Sequence, residues 1–267
     1  ALSLRAADPG LDMRGLYTGT VAARLRDTAT RSDADRARML DVVRSAPGVD
    51  AAALSIDASV YSTGVEVDSG GSGRFVPMAS RGGPWHLVTP QYFDAMRLRL
   101  VAGRFPTDDE LVHGDAVAVA SVHSAQALVG RVRTDWRIRL STNGTNPTTL
   151  TVIGVVADVV PYGFGQPSYV EFYSPLSGRK TGKYWSGVVS VRSTGAARNV
   201  VSAVYTALHR QDPAVTILDL QPRAEATAST LREIRGVLFM IVASFSIAVG
   251  LAAVGIYGII AYSAATR

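Results

Sequence analysis

Four histidines and one dense run of carboxylates are the side chains in this sequence that are best suited to acid–base or metal chemistry. A metal or catalytic site that can be recognised from sequence usually pairs a histidine with a second ligand at a short, regular spacing. No second histidine stands at such a spacing here, and we interpret each of the four as a surface or loop residue: His86, His113, His123 and His209. The sequence therefore predicts no metal site and no bound cofactor in this chain.

The carboxylate run Asp108, Asp109 and Glu110 directly follows Thr107. A hydroxyl residue followed three positions later by glutamate is the capping-box pattern of a helix N-terminus, which explains the acidic residues without catalysis. The chain also lacks the Walker-type phosphate-binding loop and the common metalloprotease and serine-hydrolase motifs. We therefore predict that this chain is not an enzyme. A membrane-tethered hydrolase of unrecognised type, using Asp108, Asp109 and His113, is an open alternative.

The elements that would position these residues alternate between strands and helices. Apolar residues at helical spacing after the N-cap candidate Ser32 predict a helix from Asp33 that ends at Pro47. Thr89 is the N-cap candidate of a second helix, and period-two or continuous apolar runs predict the strands. The other predicted helices cover 124–129 and 196–209, and the strands cover 49–56, 74–78, 116–120, 136–140, 149–160, 169–173, 187–191 and 215–220. Hairpin-like stretches among them indicate a mixed sheet, hence an α+β fold.

The cysteine content and the charge of the chain exclude some bonds and some partners. The chain has no cysteine, which excludes disulfides and thiolate metal sites but leaves the redox compartment open. Its net charge is +5, and basic and acidic residues are interspersed along the first predicted helix. Because mixed signs on a helix are typical of a solvated face, we expect no nucleic-acid binding.

The C-terminal run 236–265 contains no charged residue and no proline. As a helix it would be roughly 45 Å long, longer than the hydrocarbon core of a bilayer. We therefore predict a transmembrane helix at 236–265, preceded by a stalk helix at 222–235 that begins at Pro222. Basic and aromatic residues near both ends of the run are predicted to lie at the membrane interface: Arg232, Arg235, Tyr257, Tyr262 and Arg267.

Small residues recur on one face of this predicted span at Ser244, Ala248, Ala252 and Gly255. Small side chains let a second membrane helix approach closely, so we predict that this face packs against another helix. A rigid helix that continues from stalk to span could transmit motion or serve only as a tether, and the sequence leaves both open. The chain begins without methionine or an export signal, and we expect it to be a piece of a longer protein.

Several motifs, in order, resemble those of one family. The segments 88–96, with Tyr92-Phe93, and 98–105, with Gly103-Arg104-Phe105, are similar to the early signature of MacB-like periplasmic core domains. The strand 152–159 and the later Tyr173-Ser174-Pro175 are similar to the second signature of that family. The run 250–262, with Gly255-Ile256-Tyr257-Gly258, resembles a membrane helix of an FtsX-like permease domain.

The resemblance implies a bacterial ABC transporter permease subunit of the efflux or release type, located in the inner membrane. It implies a non-catalytic, extracytoplasmic domain at 1–221 made of two subdomains, with an inserted subdomain at roughly 85–175. ATP would bind to a partner ATPase, and ATP-driven movement would be relayed by mechanotransmission. A second permease copy or homologous half, and a periplasmic adaptor or outer-membrane channel, are the further partners that it implies. The alternative is a membrane-tethered extracytoplasmic binding or sensor domain without a transport role.

Overall fold

The computed structural model describes residues 10–23, 33–59, 65–78, 84–140, 147–159, 170–178, 186–211 and 215–226, and positions 236, 239–246, 248–249, 251–252 and 256. Strands and helices follow one another in this order: β1 (Leu16–Ala23), α1 (Asp33–Arg44), β2 (Ala51–Ser59), β3 (Val65–Asp68), β4 (Val76–Met78), β5 (Pro84–Val88), α2 (Tyr92–Met96), β6 (Leu100–Gly103), α3 (Asp108–His113), β7 (Val117–Ser121), α4 (Val122–Val129), β8 (Trp136–Leu140), β9 (Thr148–Val156), β10 (Phe172–Pro175), β11 (Ser186–Arg192), α5 (Ala197–Gln211) and β12 (Val215–Pro222).

The strands form one twelve-stranded sheet in the order β12-β1-β11-β2-β5-β10-β7-β9-β8-β3-β4, with β6 paired to β9. The pairs β5–β10 and β7–β9 are parallel, and the other described pairs are antiparallel. The predicted mixed-sheet α+β fold is therefore confirmed. The predicted division into two subdomains stays a prediction.

The strand pairing is shortest around β10. Near the β12 edge of the sheet, β1 pairs with β11 over the whole stretch from Leu16↔Arg192 to Ala22↔Ser186. By contrast, β10 pairs with β7 only at Phe172↔Ala120 and Tyr173↔Val119, and its pairing with β5 covers the four residues of β10. We call β5, β10 and β7 the waist of the sheet.

Two apolar clusters lie on opposite faces of the sheet, because side chains alternate along each strand. On one face, Leu54 and Phe172 pack with the apolar sides of α1 and α5. On the other face, the next residues along, Ala53 and Tyr173, pack with α2. On the face that carries Ala53 and Tyr173, α2 therefore covers the waist.

The predicted N-cap of α2 needed correction. Thr89 does not cap α2: its Oγ1 accepts from the Leu54 amide at 2.9 Å and donates to the Leu54 carbonyl at 3.2 Å, which extends the pairing of β2. The N-cap position is Gln91, with left-handed φ of 65° and no side-chain cap. The helix predicted from Pro222 begins one residue later, because Pro222 is the last residue of β12 and residues 223–226 are helical. The predicted strands do not include β1, β3, β5 or β6. The N-cap candidate Ser32 lies outside the described residues.

Within the predicted span, the described positions 239–246 and 251–252 are helical, and large apolar side chains on them are exposed, including Phe239, Phe245 and Leu251. Among the described residues, no helix is both long enough and apolar enough to cross a membrane. Most of the predicted stalk, and much of the predicted span, lie outside these residues.

Candidate functional site

The residues predicted to serve the membrane are only partly described. Ser244, Ala248 and Ala252 are helical and exposed, whereas Gly255 lies outside the described residues. The predicted interface residues also lie outside them: Arg232, Arg235, Tyr257, Tyr262 and Arg267. The packing face and the interface positions therefore stay predictions.

The carboxylate run closes the N-terminus of α3 as predicted. Thr107 Oγ1 accepts from the Glu110 amide at 3.2 Å, and Glu110 Oε2 accepts from the Thr107 amide at 2.8 Å. Arg104 donates from both terminal nitrogens to the two oxygens of Glu110, at 2.7 Å each. We call the Arg104–Glu110 pair the clamp. The hydrogen bond from Arg104, assisted by the Thr107 amide, lowers the pKa of Glu110 to about 2.

The other members of the hydrolase alternative make structural hydrogen bonds. Asp108 Oδ1 accepts from the Gln91 amide at 3.0 Å, and His113 Nδ1 donates to the Asp109 carbonyl at 2.8 Å. The described part of the chain contains no group of three histidine or acidic residues that could hold a metal ion. This arrangement brings together no nucleophile and base, so it offers no support for hydrolysis.

The Gly103-Arg104 motif has a steric explanation. Gly103 pairs with Gly154 where β6 meets β9. A Cβ atom on Gly103 would lie 2.2 Å from the Ile153 carbonyl oxygen, and one on Gly154 would lie 2.2 Å from the Arg104 carbonyl oxygen. Two glycines thus allow β6 and β9 to approach closely, which places Arg104 in position for the clamp.

A groove of about 460 Å³ lies between α1 and α3. Its walls include Leu40, Leu111 and Leu176, and Val112 stands exposed beside it. On the α1 side, the buried Arg36 forms an ion pair with Asp33. The groove can bury an apolar group, but it presents no catalytic geometry.

An ionic cluster with two carboxylates on one histidine lies at the waist, where the sequence predicted only a surface or loop histidine. His86 on β5 stands between two carboxylates: its Nδ1 is 2.5 Å from Asp57 Oδ1 on β2, and its Nε2 is 2.8 Å from Glu171 Oε1 beside β10. The His86 ring stacks on Tyr173 with centroids 4.8 Å apart. The Tyr173 hydroxyl donates to Glu171 Oε1 at 2.8 Å. We call Asp57, His86 and Glu171 the clasp.

The charge of His86 is set by these neighbours. Burial lowers the pKa of the imidazole, but the hydrogen bonds and negative charges of Asp57 and Glu171 outweigh burial and raise the pKa to about 9. For Asp57, desolvation acts against ionisation, and the hydrogen bond and charge of His86 more than compensate, so its pKa is lowered.

One signal in the sequence could have indicated the clasp. Asp57 and His86 each interrupt an apolar strand, in Ile56-Asp57-Ala58 and Trp85-His86-Leu87. A charged or titratable residue inside such a strand needs a partner if its face is covered. The partners cannot be identified without the strand order, because they are 29 and 85 residues apart in sequence.

The elements described above form a mixed-sheet α+β domain. The family described as the MacB-like periplasmic core domain matches residues 7–208, which is most of the chain, and the chain belongs to this family. The MacB-like domains of this family are extracytoplasmic parts of ABC transporter permeases. No curated protein matches the chain at a significant level.

One solved structure supports this fold, and two others are similar at a lower score. The periplasmic region of MacB from Actinobacillus actinomycetemcomitans is similar with a TM-score of 0.52 at 16% identity, over 84% of this chain and 96% of that one. The extracellular domain of the noncanonic ABC-type transporter YknZ from Gram-positive bacteria has a TM-score of 0.49 at 16% identity, over 75% of this chain and 99% of that one. A domain of a permease protein from Porphyromonas gingivalis has a TM-score of 0.49 at 14% identity, over 79% and 92% of the two chains.

Proposed function

We propose that this chain is the extracytoplasmic domain, together with the start of the membrane domain, of a bacterial ABC transporter permease subunit of the efflux or release type. The observation that carries the proposal is the match of residues 7–208 to the MacB-like periplasmic core domain. The fold shared with the periplasmic region of MacB supports it. Residues 1–221 would lie outside the cytoplasm, with an inserted subdomain at roughly 85–175.

The proposed anchor is a stalk at 222–235 that continues into a span at 236–265 of the inner membrane. The span would contain no charged side chain. Its described helical positions expose large apolar residues, with Phe239 at 75% and Phe245 at 70% of their full accessible area. Exposed apolar side chains in such density favour an apolar surrounding, for which a bilayer or neighbouring membrane helices are the natural source.

The proposed role is mechanical and not catalytic. ATP would be bound and hydrolysed by a partner ATPase at the cytoplasmic face, and the stalk would relay its movement to the sheet. A second permease copy or homologous half would pack on the small-residue face at Ser244, Ala248, Ala252 and Gly255. A periplasmic adaptor or outer-membrane channel would complete the assembly.

The location can be tested with thiol labelling, because the chain contains no cysteine. Val112→Cys places a thiol on α3 at a position that is 54% exposed. In the gene product expressed in its own cell, a membrane-impermeant maleimide should label the Val112→Cys variant in intact spheroplasts above the level of the unsubstituted gene product. Labelling only after lysis would contradict an extracytoplasmic domain.

The transport role is tested by isolating the gene product from membranes. We expect an ABC ATPase to co-purify in near-stoichiometric amount, and the double variant Val242→Arg/Phe245→Arg to lose the ATPase. The matched control, Val76→Arg/Val112→Arg, changes exposed apolar residues of the sheet domain and should retain the ATPase. Membrane retention without any ATPase would favour the binding or sensor alternative.

A further inference from the structure

Side-chain hydrogen bonds are concentrated at the waist, where the strand pairing is shortest. On the face of α1 and α5, Trp85 Nε1 donates to Ser174 Oγ at 2.7 Å and joins β5 to β10. Ser124 Oγ donates to the Glu171 carbonyl at 3.0 Å and accepts from the Glu171 amide at 2.6 Å, which joins α4 to the start of β10. On the α2 face, the clasp joins β2, β5 and the segment leading into β10. Polar side chains therefore reinforce the sheet beside β10–β7, which has the shortest strand pairing among those described.

The geometry of the clasp requires a charged histidine. An ionised carboxylate can only accept hydrogen bonds, and a neutral imidazole has only one N–H to donate. Both ring nitrogens of His86 lie within hydrogen-bond distance of a carboxylate oxygen, at 2.5 Å and 2.8 Å. Both interactions are satisfied together when both nitrogens carry a proton. Charge-assisted bonds of this kind are shorter and stronger than neutral ones.

The charges around His86 are balanced. Asp57 and Glu171 face its two nitrogens, and the positive charge of Arg223, which follows β12, acts on Asp57. Tyr173 stacks on the ring and Tyr92 of α2 packs against Tyr173. Burial and the neighbouring carboxylates raise the pKa of both phenols, so they remain neutral. Two carboxylates are thus matched by one imidazolium and one guanidinium.

The clasp also connects the two halves of the sheet. Asp57 belongs to β2, which is continuous with β11, β1 and β12. Glu171 leads into β10, which is continuous with β7, β9 and β8. His86 on β5 bridges them, since Asp57 pairs with His86 across β2–β5 and Tyr173 pairs with His86 across β5–β10. The clasp therefore adds side-chain hydrogen bonds across β2, β5 and β10, the strands that join the two halves.

We propose that Asp57, His86 and Glu171 hold the two halves of the sheet in one fixed orientation, and that loss of the His86 proton releases them. The proposal concerns the chain itself and does not depend on the transport role. With its pKa at about 9, His86 is charged at neutral pH and below, and the clasp is closed there. As the pH rises through about 9, the imidazolium gives its proton to water, one N–H donor is lost, and two carboxylates face a neutral ring.

The distance between the two halves tests the proposal directly. Because the chain has no cysteine, spin labels can be attached at Leu218→Cys on β12 and Thr149→Cys on β9, both of which are exposed. Pulsed electron–electron double resonance at pH 7 should give one narrow distance distribution for the doubly labelled parent. We expect His86→Gln in this background to broaden it about twofold or to add a second distance. His209→Gln, an exposed position at the end of α5, is the matched control and should leave it unchanged.

Raising the pH provides the second measurement. The doubly labelled parent should broaden between pH 7 and about pH 10, whereas His86→Gln should show no further change, because the titrating group is gone. Asp57→Asn removes the charge of only one arm of the clasp, at a half-exposed position, while its amide oxygen can still accept from His86, and it should show a smaller broadening at pH 7. If His86→Gln does not fold, the broadening of the parent's distance distribution between pH 7 and about pH 10 tests the proposal by itself.

Two results would overturn the proposal. One is a distribution that is equally narrow in the parent at pH 7, in the parent at about pH 10 and in every folded clasp variant. The other is a neutral His86 at about pH 8, seen in the ¹⁵N chemical shifts of its ring in the full chain.

Discussion

The clasp and the clamp are both ionic clusters, but they join different parts of the chain. The clamp pairs Arg104 with Glu110, six residues apart, and closes a single helix at the surface. The clasp draws Asp57, His86 and Glu171 from three separate segments and bridges the middle of the sheet. His86 and Glu171 are mostly buried, with side chains 15% and 16% exposed, whereas Arg104 is 55% exposed. The clamp therefore stabilises a local element, and the clasp stabilises the relation between elements.

The two clusters also respond to pH in opposite directions. The pKa of His86 is raised from 6.5 to about 9, so its contribution is complete below 6.5 and is lost as the pH rises through about 9. The pKa of Glu110 is lowered from 4.5 to about 2, so its contribution is complete above 4.5 and is lost as the pH falls toward 2. Both clusters contribute fully between pH 4.5 and 6.5.

The largest effect is expected where the backbone supports the clamp. In Gly154→Ala the new methyl group would lie 2.2 Å from the Arg104 carbonyl oxygen, so β6 and β9 must separate. We expect the free energy of unfolding to fall by about 3 kcal/mol or more, because backbone atoms cannot yield as a flexible side chain can. Urea unfolding of the full chain in a mild detergent, followed by circular dichroism, measures this change.

Gly70→Ala is the matched control for that substitution. A Cβ atom at Gly70 meets nothing within 4 Å, so the same change should alter stability by less than about 1 kcal/mol. Equal effects at the two glycines would show that β6 and β9 do not need their close approach.

The clasp should give the next largest effect. In His86→Gln, Glu171 keeps its buried position but loses its cation, and we expect a loss of about 2 kcal/mol at pH 7. The difference between the variant and the parent should shrink as the pH rises through about 9, because the parent then loses the same charge. Urea unfolding at several pH values measures both quantities.

His209→Gln is the control, since His209 is exposed on α5 and remote in sequence from the clasp. Its unfolding free energy should stay close to that of the parent. A difference between His86→Gln and the parent that stays constant from pH 6 to about pH 10 would show that His86 acts by packing alone.

The contrast between the local clamp and the long-range clasp also explains which features the sequence could predict. The capping box depends on residues three positions apart, and its pattern was sufficient to predict the bonds of Thr107 and Glu110. The alternation of Trp136 to Leu140 predicts β8 with its correct bounds, and the apolar spacing predicts the helix α1. These features are local, so propensity and periodicity determine them.

The waist could not be predicted in this way. β5 begins with Pro84 and carries His86 in its middle, so it lacks a clean apolar alternation. β1 contains Gly19, which lies against Leu218 and Leu220 of β12 and allows their close packing, yet glycine weakens a strand pattern. The partners of His86 follow from the order of β2, β5 and β10 in the sheet, which no local pattern encodes.

A smaller effect is expected at the cap beside the clamp. Thr107→Ala removes the oxygen that accepts from the Glu110 amide, and we expect a loss of about 1 kcal/mol. Thr107→Ser keeps that oxygen and should lose almost none of this stability. If both variants match the parent in urea unfolding, α3 does not contribute to global stability, and its opening is then measured by hydrogen exchange of the Leu111 amide.

The smallest effect isolates the charge of the clamp. Glu110→Gln keeps an oxygen for the Thr107 amide, since glutamine also serves in a capping box, but removes the charge that binds Arg104. Because Arg104 is half-exposed to water, we expect a loss of only about 0.5 kcal/mol at pH 7. The difference from the parent should disappear as the pH falls from 4.5 toward 2, where Glu110 itself becomes neutral. A difference that disappears instead at alkaline pH would mean that the clamp and the clasp act as one network and not as two separate ones.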